Sequence, residues 1–350
     1  MKDFKKILLF LGLIINLNLY KKENEFLENI KDRFMTTTYI SKLYDGPKIE
    51  LTKFHLTNGM LSYKAANLDS MNQINSKITD LGKKMIITTI AKEWLYYLDL
   101  NIKEGKIKNN PNNKLVFDFD KLDLTATTLF EFEKRYNIEW KSVAAHSLLE
   151  SVFDQLPYGT LDEIGKFHIR TKIAEKYFNY VKKKFIEDDF AQEILGESFE
   201  AEKLKNPFYN TLFYIAFMDD KLRSSEKIED ALKKYNAGIF WNNEKFDFYP
   251  QKIKNIISLL YKYERYAIEN PKGFAFFYLS TLFPEFKTKG SVKNEFWLNQ
   301  DYVWKFLYEK YRYNKKIYYE FIYDTEKKSL FEKHYNIAKE FIDEAELIKR

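Results

Sequence analysis

Apolar residues recur at the i, i+3, i+4 spacing of an amphipathic helix through WKSVAAHSLL (Trp140–Leu149) and TLFYIAFM (Thr211–Met218). The same spacing over LGKKMIITTIAKEWLYYLDLNI (Leu81–Ile102) predicts a long helix, and NEFLENIKDRF (Asn24–Phe34) predicts a shorter one. Between Ala174 and Asn206 the run YFNYVKKKFIEDDFAQEIL reads as one extended charged helix. ENPKGFAFFYLSTLFPEFKTKG reads as loop, helix, loop, and the tail from Asn294 to Arg350 carries charges spaced for amphipathic helices. YDGPKIE, with its Gly and Pro, reads as a loop, and Asn109–Asn113, with Pro111 at its centre, stops the preceding helix. No repeat of about 20 to 50 residues is visible. The pattern is mainly α. It divides into an apolar leader (1–22), an N-terminal helical module (23–121), a central helical domain (122–265) and a C-terminal helical extension (266–350).

Chemistry enters through an ordered series in the central domain. Glu150 sits in the apolar run SLLESVF, and Gly165-Lys166-Phe167-His168-Ile169 follows it. Next come Asn206-Pro207 and Asn210 ahead of an apolar helix, then Tyr235-Asn236-Ala237-Gly238, then Tyr249-Pro250-Gln251-Lys252-Ile253. The stretch from about Leu129 to Leu260 resembles the catalytic domain of the lytic transglycosylases, lysozyme-like enzymes that cut the glycan strands of bacterial peptidoglycan. Tyr136-Asn137-Ile138 falls where that family turns into the helix carrying its Glu-Ser pair, Glu150-Ser151 fill the pair, and Phe153 takes its usual aromatic position. The Tyr-Asn-Ala-Gly block is reproduced without change. Lys166 and His168 replace the Leu and Gln of the family's Gly-Leu-Met-Gln-Ile signature, and Ile239-Phe240-Trp241 stands where Pro-Gly is usual.

The resemblance implies a lysozyme-like helical fold flanked by helical segments, and a single carboxyl, Glu150, as general acid and base. Helical spacing puts Val143 and Phe153 on its side of the helix, and apolar neighbours penalise the charged form, keeping a carboxyl protonated near neutral pH. As the resemblance implies, Ser151 helps hold that carboxylate, Tyr235 hydrogen-bonds it, Asn236 shapes the sugar site, and Tyr249 is a second cleft tyrosine. Phe167 lies beside the sugar. His168 takes the Gln position, and its protonation near pH 6.5 adds charge beside the acid and sharpens the acid limb of activity. The plainer reading of Glu150 is a solvated helix carboxylate paired with His146 one turn earlier. Asp154, Asp162 and Glu163 are the candidates for a second acid, and each also suits a turn or cap. Trp241 is either a stacking platform or core.

Composition narrows the classes. The 350 residues can bury a sizeable core, and 45% of them are hydrophobic. The net charge of +6, from 57 basic against 51 acidic residues, suits an anionic wall or lipid surface, yet its basic residues do not cluster into a nucleic-acid footprint. With no Cys there are no disulfides or lipidated thiol, and four scattered His do not form a zinc cluster, so no metal or organic cofactor is expected. The 26 Tyr and 31 Phe accompany a general richness in Lys, Asn and Ile, which makes them a bias of the whole chain rather than a sugar signal. The basic start MKDFKK followed by ILLFLGLIINLNLY (Ile7–Tyr20) has the form of an export signal, shorter than the ~20 residues of a full span. Without a small-residue cleavage site before Lys21 it can also remain as a short anchor. The expectation is an exported periplasmic or envelope enzyme acting on peptidoglycan. Two alternatives stand beside it: a muramidase of the same fold, and a catalytically silent wall-binding part of an envelope complex.

Overall fold

The computed structural model describes residues 47–67, 78–103, 112, 116–158, 162–238, 241–242, 244–283 and 325–348. The apolar leader and the helix expected at Asn24–Phe34 lie outside them. Among the described residues the chain is mainly helical, with ten α-helices and two small antiparallel hairpins.

The first hairpin, β1 (Ile49–His55) and β2 (Leu61–Asn67), pairs Ile49 with Asn67 and His55 with Leu61. The sequence reading has no strand here and a loop through Glu50. The turn is built by Asn58-Gly59, where Gly59 holds φ +75° and its N–H donates to Leu56 O at 2.9 Å. Tyr63 and Ala65 of β2 face the core while Lys64 between them is exposed, the period of two expected of a half-buried strand.

Helix α1 (Asp80–Lys103) buries Met85, Ile86, Ile87, Ile90, Ala91 and Leu95, while α2 (Phe119–Tyr136) starts at an Asp118 side chain that accepts from Lys121 N at 3.0 Å. A left-handed Asn137 (φ 59°) ends α2 and Glu139 caps α3 (Trp140–Ser151), accepting from Ser142 N at 2.8 Å. Helix α3 is buried on nearly every side and packs against α2, β2 and the later helix α8 (Phe248–Glu269). A second hairpin, β3 (Glu163–Ile164) and β4 (Ile169–Arg170), follows it.

The single charged helix expected after Ala174 is two helices, α4 (Thr171–Lys184) and α5 (Asp189–Leu195). Asp188 breaks it: its Oδ1 accepts from Ala191 N at 3.1 Å to start α5, and its Oδ2 accepts from Tyr136 Oη at 2.5 Å. Such a carboxylate caps a new helix better than it continues an old one. Helix α6 (Pro207–Arg223) begins at Asn206, which accepts from Phe208 N and Tyr209 N, with proline at the first helical position. Then come α7 (Ile228–Ala237), α8, α9 (Pro271–Leu282) and α10 (Thr325–Ile348). Helix α1 packs on α2, α8, α9 and α10, so the hairpin and helix of the N-terminal stretch complete the same hydrophobic core as the central helices. Among the described residues no helix is long and apolar enough to cross a membrane.

One buried carboxylate ties the hairpin to the helices. Asp219 of α6, wholly buried, accepts from Leu61 N at 2.7 Å, Arg223 Nε at 2.8 Å, Lys184 Nζ at 2.6 Å and Tyr180 Oη at 3.4 Å. Arg223 also reaches Gly59 O at 3.0 Å, and Lys53 Nζ donates to Leu222 O at 2.9 Å near the end of α6. Asp219 is the desolvated member of this network, whereas Arg223 and Lys184 keep access to water, so removing it costs chiefly its charge-assisted hydrogen bonds and the acceptor of Leu61 N. Asp219→Ala is therefore expected to lower the urea unfolding free energy by ~2 kcal/mol, and a loss under ~0.5 kcal/mol would contradict the role assigned to it.

Candidate functional site

Glu150 stands at the carbonyl end of α3, where the aligned peptide dipoles disfavour a negative charge. The chain then reverses sharply. Val152, Phe153 and Asp154 all hold positive φ (54°, 56° and 68°), with Val152 N bonded to Leu148 O and Phe153 N to Ser147 O, each at 3.0 Å. Three consecutive left-handed residues without glycine carry strain of ~1 kcal/mol or more each. They persist because all three side chains are buried in the core. The reversal brings residues 163–170 back beside the end of α3.

That returning loop is held from three sides. Asn210 of α6, fully buried, ties it to the turn before α6: Nδ2 donates to Ile164 O of the loop and to Leu204 O of that turn, both at 3.0 Å, and Oδ1 accepts from Phe167 N at 3.0 Å. Gly165 has φ +81°, and a Cβ there would collide with the Asn210 amide and the Leu204 carbonyl, so the position requires glycine. Ser151 Oγ donates to Lys166 O at 2.8 Å and accepts from Asp154 N at 2.7 Å. Tyr235 Oη donates to Phe167 O at 2.9 Å.

These bonds correct two expected roles. Ser151 does not hold the Glu150 carboxylate, because its hydroxyl is committed to the loop. Tyr235 does not bond Glu150 either, because the Phe167 carbonyl takes its proton. The tyrosine on the carboxylate is Tyr249, buried at the start of α8, whose Oη donates to Glu150 Oε1 at 2.5 Å. Phe167 is also displaced from its expected place. Its ring is buried and stacked on Tyr214, centroids 4.1 Å apart at 16°, so its side chain is core and its backbone serves the site.

The other oxygen of Glu150 faces His168, with Nδ1 3.7 Å from Oε2. His168 Nε2 lies 2.8 Å from Leu156 O, a carbonyl that only accepts, so the proton of the neutral ring is on Nε2 and Nδ1 turns a lone pair toward the acid. Burial holds His168 below its ordinary 6.5, against the opposing pull of Leu156 O and Glu163. The ring therefore takes up a proton only below the ordinary imidazole range, not near pH 6.5 as the resemblance suggested.

Burial raises Glu150 from 4.5 to about 7, with Glu163 adding like-charge repulsion and the Tyr249 hydrogen bond pulling the other way. The side chain retains 15% exposure, enough for a partner to reach it. A carboxyl that is substantially protonated at neutral pH, anchored through one oxygen and open at the other, can donate a proton.

The remaining candidates separate. Glu163, half-buried in β3, reaches Glu150 electrostatically. Asp162 is exposed and accepts from Thr171 Oγ1, a turn role. Asp154 is buried 3.5 Å from Lys121 Nζ, where burial lifts it to about 6. Asn236 is exposed at the end of α7, and Trp241 is half-buried with Lys234 Nζ 4.8 Å from its ring centroid. Lys166 is fully buried, its Nζ has no hydrogen-bond partner, and burial drops it to about 7. Among the described residues no group of three or more acidic or histidine side chains is placed to hold a metal ion.

Sequence reasoning placed His146 against Glu150 directly. The structure instead inserts Tyr249 between them, with His146 Nδ1 3.1 Å from Tyr249 Oη. It missed the box of tyrosines around His146, since Tyr63 and Tyr214 belong to no motif and only packing brings them there. No protein-family model, curated protein or solved structure matches this chain.

The raised value for Glu150 fixes the sign of a stability effect. Ionising a group whose folded-state value lies above its unfolded 4.5 penalises the folded state, so the penalty is absent below pH 4.5, grows up to about pH 7 and is complete above it. Glu150→Gln keeps an acceptor for Tyr249 and removes the charge. The variant is expected to match the unaltered protein at pH 4 and to exceed it by up to ~3 kcal/mol at pH 8 in urea unfolding. Equal stabilities at both pH values would mean that the carboxyl is not desolvated.

Proposed function

We propose that this protein is a peptidoglycan lytic transglycosylase, with a lysozyme-like helical domain and Glu150 as its general acid and base. The observation that carries the reading is the Glu150 carboxyl itself: raised to about 7, tied through Oε1 to Tyr249 at 2.5 Å, and left with Oε2 for a substrate. The ordered series from Glu150-Ser151 to Tyr249 supports it. So does the use of these residues, since Asn210, Gly165, Ser151 and Tyr235 all act to set the loop 163–170 beside that carboxyl.

In this mechanism Glu150 passes its proton from Oε2 to the oxygen bridging N-acetylmuramic acid and N-acetylglucosamine, and the bond from that oxygen to the muramic anomeric carbon breaks. The muramic C6 hydroxyl attacks the same carbon and gives its proton to the Glu150 carboxylate. The products are a free N-acetylglucosamine hydroxyl and a 1,6-anhydro muramic end, and the acid is restored. No water, metal or organic cofactor enters the balance. His168 Nδ1 lies 3.7 Å from Oε2, outside hydrogen-bond range, and burial disfavours its charged form, so it sits beside the acid without a competing charge at neutral pH. An exported or envelope location, with the Ile7–Tyr20 segment as signal or anchor, belongs to the same proposal.

Glu163 favours a second reading. A second carboxylate within electrostatic reach of the acid is what a muramidase uses to activate water or steady the sugar cation. Mass spectrometry of glycan released from purified wall sacculi separates the two, because anhydro ends support the transglycosylase and reducing ends support the hydrolase. Glu150→Gln is expected to lower the initial rate at least ~100-fold. Equal clearing of sacculi by both proteins would take the acid role from Glu150, and no clearing by either would leave a wall-binding role. Activity should also fall as pH rises through about 7, the range in which the free Glu150 loses its proton.

A further inference from the structure

We infer that His146 is a positioning residue that acts through Tyr249 to fix the hydrogen-bond direction, and with it the proton affinity, of Glu150. The inference rests on the general-acid reading above for its functional meaning, but its physical content is separate.

His146 is fully buried one helical turn before Glu150, and its ring is enclosed by four tyrosines, each from a different element. Ring centroids lie 6.0 Å away at Tyr63 of β2, 5.1 Å at Tyr214 of α6, 5.2 Å at Tyr235 of α7 and 5.9 Å at Tyr249 of α8. Nδ1 meets the Tyr249 hydroxyl at 3.1 Å, whereas Nε2 is buried with no hydrogen-bond partner. A buried N–H without an acceptor costs more than a buried lone pair without a donor, so the ring proton belongs on Nδ1. Burial keeps the ring from taking a second proton, holding it near 3.

A direction follows. Nδ1–H donates to Tyr249 Oη, and the Tyr249 hydroxyl, barred from donating back, donates to Glu150 Oε1 at 2.5 Å. When Glu150 is protonated its proton then favours Oε2, the oxygen facing His168 Nδ1, because Oε1 accepts the Tyr249 bond better as the carbonyl oxygen. With the opposite tautomer, Tyr249 could donate to His146 and Glu150 could donate its proton backward into the core. His146 thus directs the acid proton outward. It also polarises Tyr249, strengthening the bond that favours the carboxylate form. The titratable groups acting on Glu150 in this arrangement are Tyr249, Glu163, His168, Tyr214 and Tyr235, none of them a cation at neutral pH.

Two measurements on the whole chain test this. In the unaltered chain, 15N spectra of the histidine rings, with His146 identified by loss of its signals in His146→Phe, should show Nδ1 protonated and Nε2 bare from pH 5 to pH 8. A bare Nδ1 overturns the inference without any variant needing to fold. The 13C carboxyl signal of Glu150, identified with Glu150→Gln, should then titrate higher in His146→Phe by about half a pH unit, from a cooperative weakening of the Tyr249 bond. It should rise further in Tyr249→Phe. His146→Asn, whose amide nitrogen stands near the Nδ1 position, should stay near the unaltered value even though it leaves a cavity and lowers stability. A residue that only fills space would instead give a Glu150 midpoint unchanged in His146→Phe, or shifted in His146→Asn as much as in His146→Phe, and either result overturns the inference. A Glu150 midpoint near 4.5 in the unaltered protein counts against the general-acid reading, while the differences among variants still decide the role of His146.

Discussion

A carboxylate taken out of water at the carbonyl end of a buried helix is the constraint to which the rest of the site answers. Burial penalises the charge on Glu150, Glu163 repels it, and the Tyr249 hydroxyl is the hydrogen-bond donor that opposes both. The balance leaves a group poised near neutral pH instead of a fully ionised carboxylate or a permanently neutral acid. Its setting shows how little polar help is needed when solvent is withheld: one hydroxyl on Oε1, and a neutral imidazole near Oε2.

Such a balance depends on geometry that does not drift, and much of the fold supplies it. The left-handed reversal at Val152–Asp154 would relax if its side chains were exposed, so its persistence depends on the core it is packed into. Asn210, Ser151 and Tyr235 each hydrogen-bond the backbone of the returning loop, which makes the position of His168 a property of α3, α6 and α7 together. Further out, Asp219 fixes the first hairpin, and that hairpin delivers Tyr63 to the aromatic box around His146. A strand pair far from the acid in sequence is thus part of its insulation.

Several of these features were legible in the chain. The helical spacing around Glu150, the Asn206-Pro207 start of α6 and the glycine at Gly165 are local statements, and local sterics and capping decide them. Others carry a local signal that their surroundings obscure. Asn58-Gly59 between alternating apolar residues is a hairpin signal, yet the run on each side is short and follows Pro47, so it merged with a loop. Asp188-Asp189 marks the break between α4 and α5, hidden by charged residues that suit an exposed helix equally well.

The sequence by itself determined a mainly helical chain, a candidate acid in an apolar setting, and the residues whose local chemistry caps and turns the elements around it. Tertiary structure alone decided which tyrosine reaches that acid. Tyr235 and Tyr249 are both aromatic and both lie in motif-like surroundings, but only the packing of α8 against α3 carries Tyr249 to Oε1, while α7 leaves Tyr235 over the Phe167 carbonyl. Hydrogen-bond partners separated by long stretches of chain are chosen by the relative placement of whole helices. That placement depends on summed burial over many residues, and no spacing rule along the sequence encodes it.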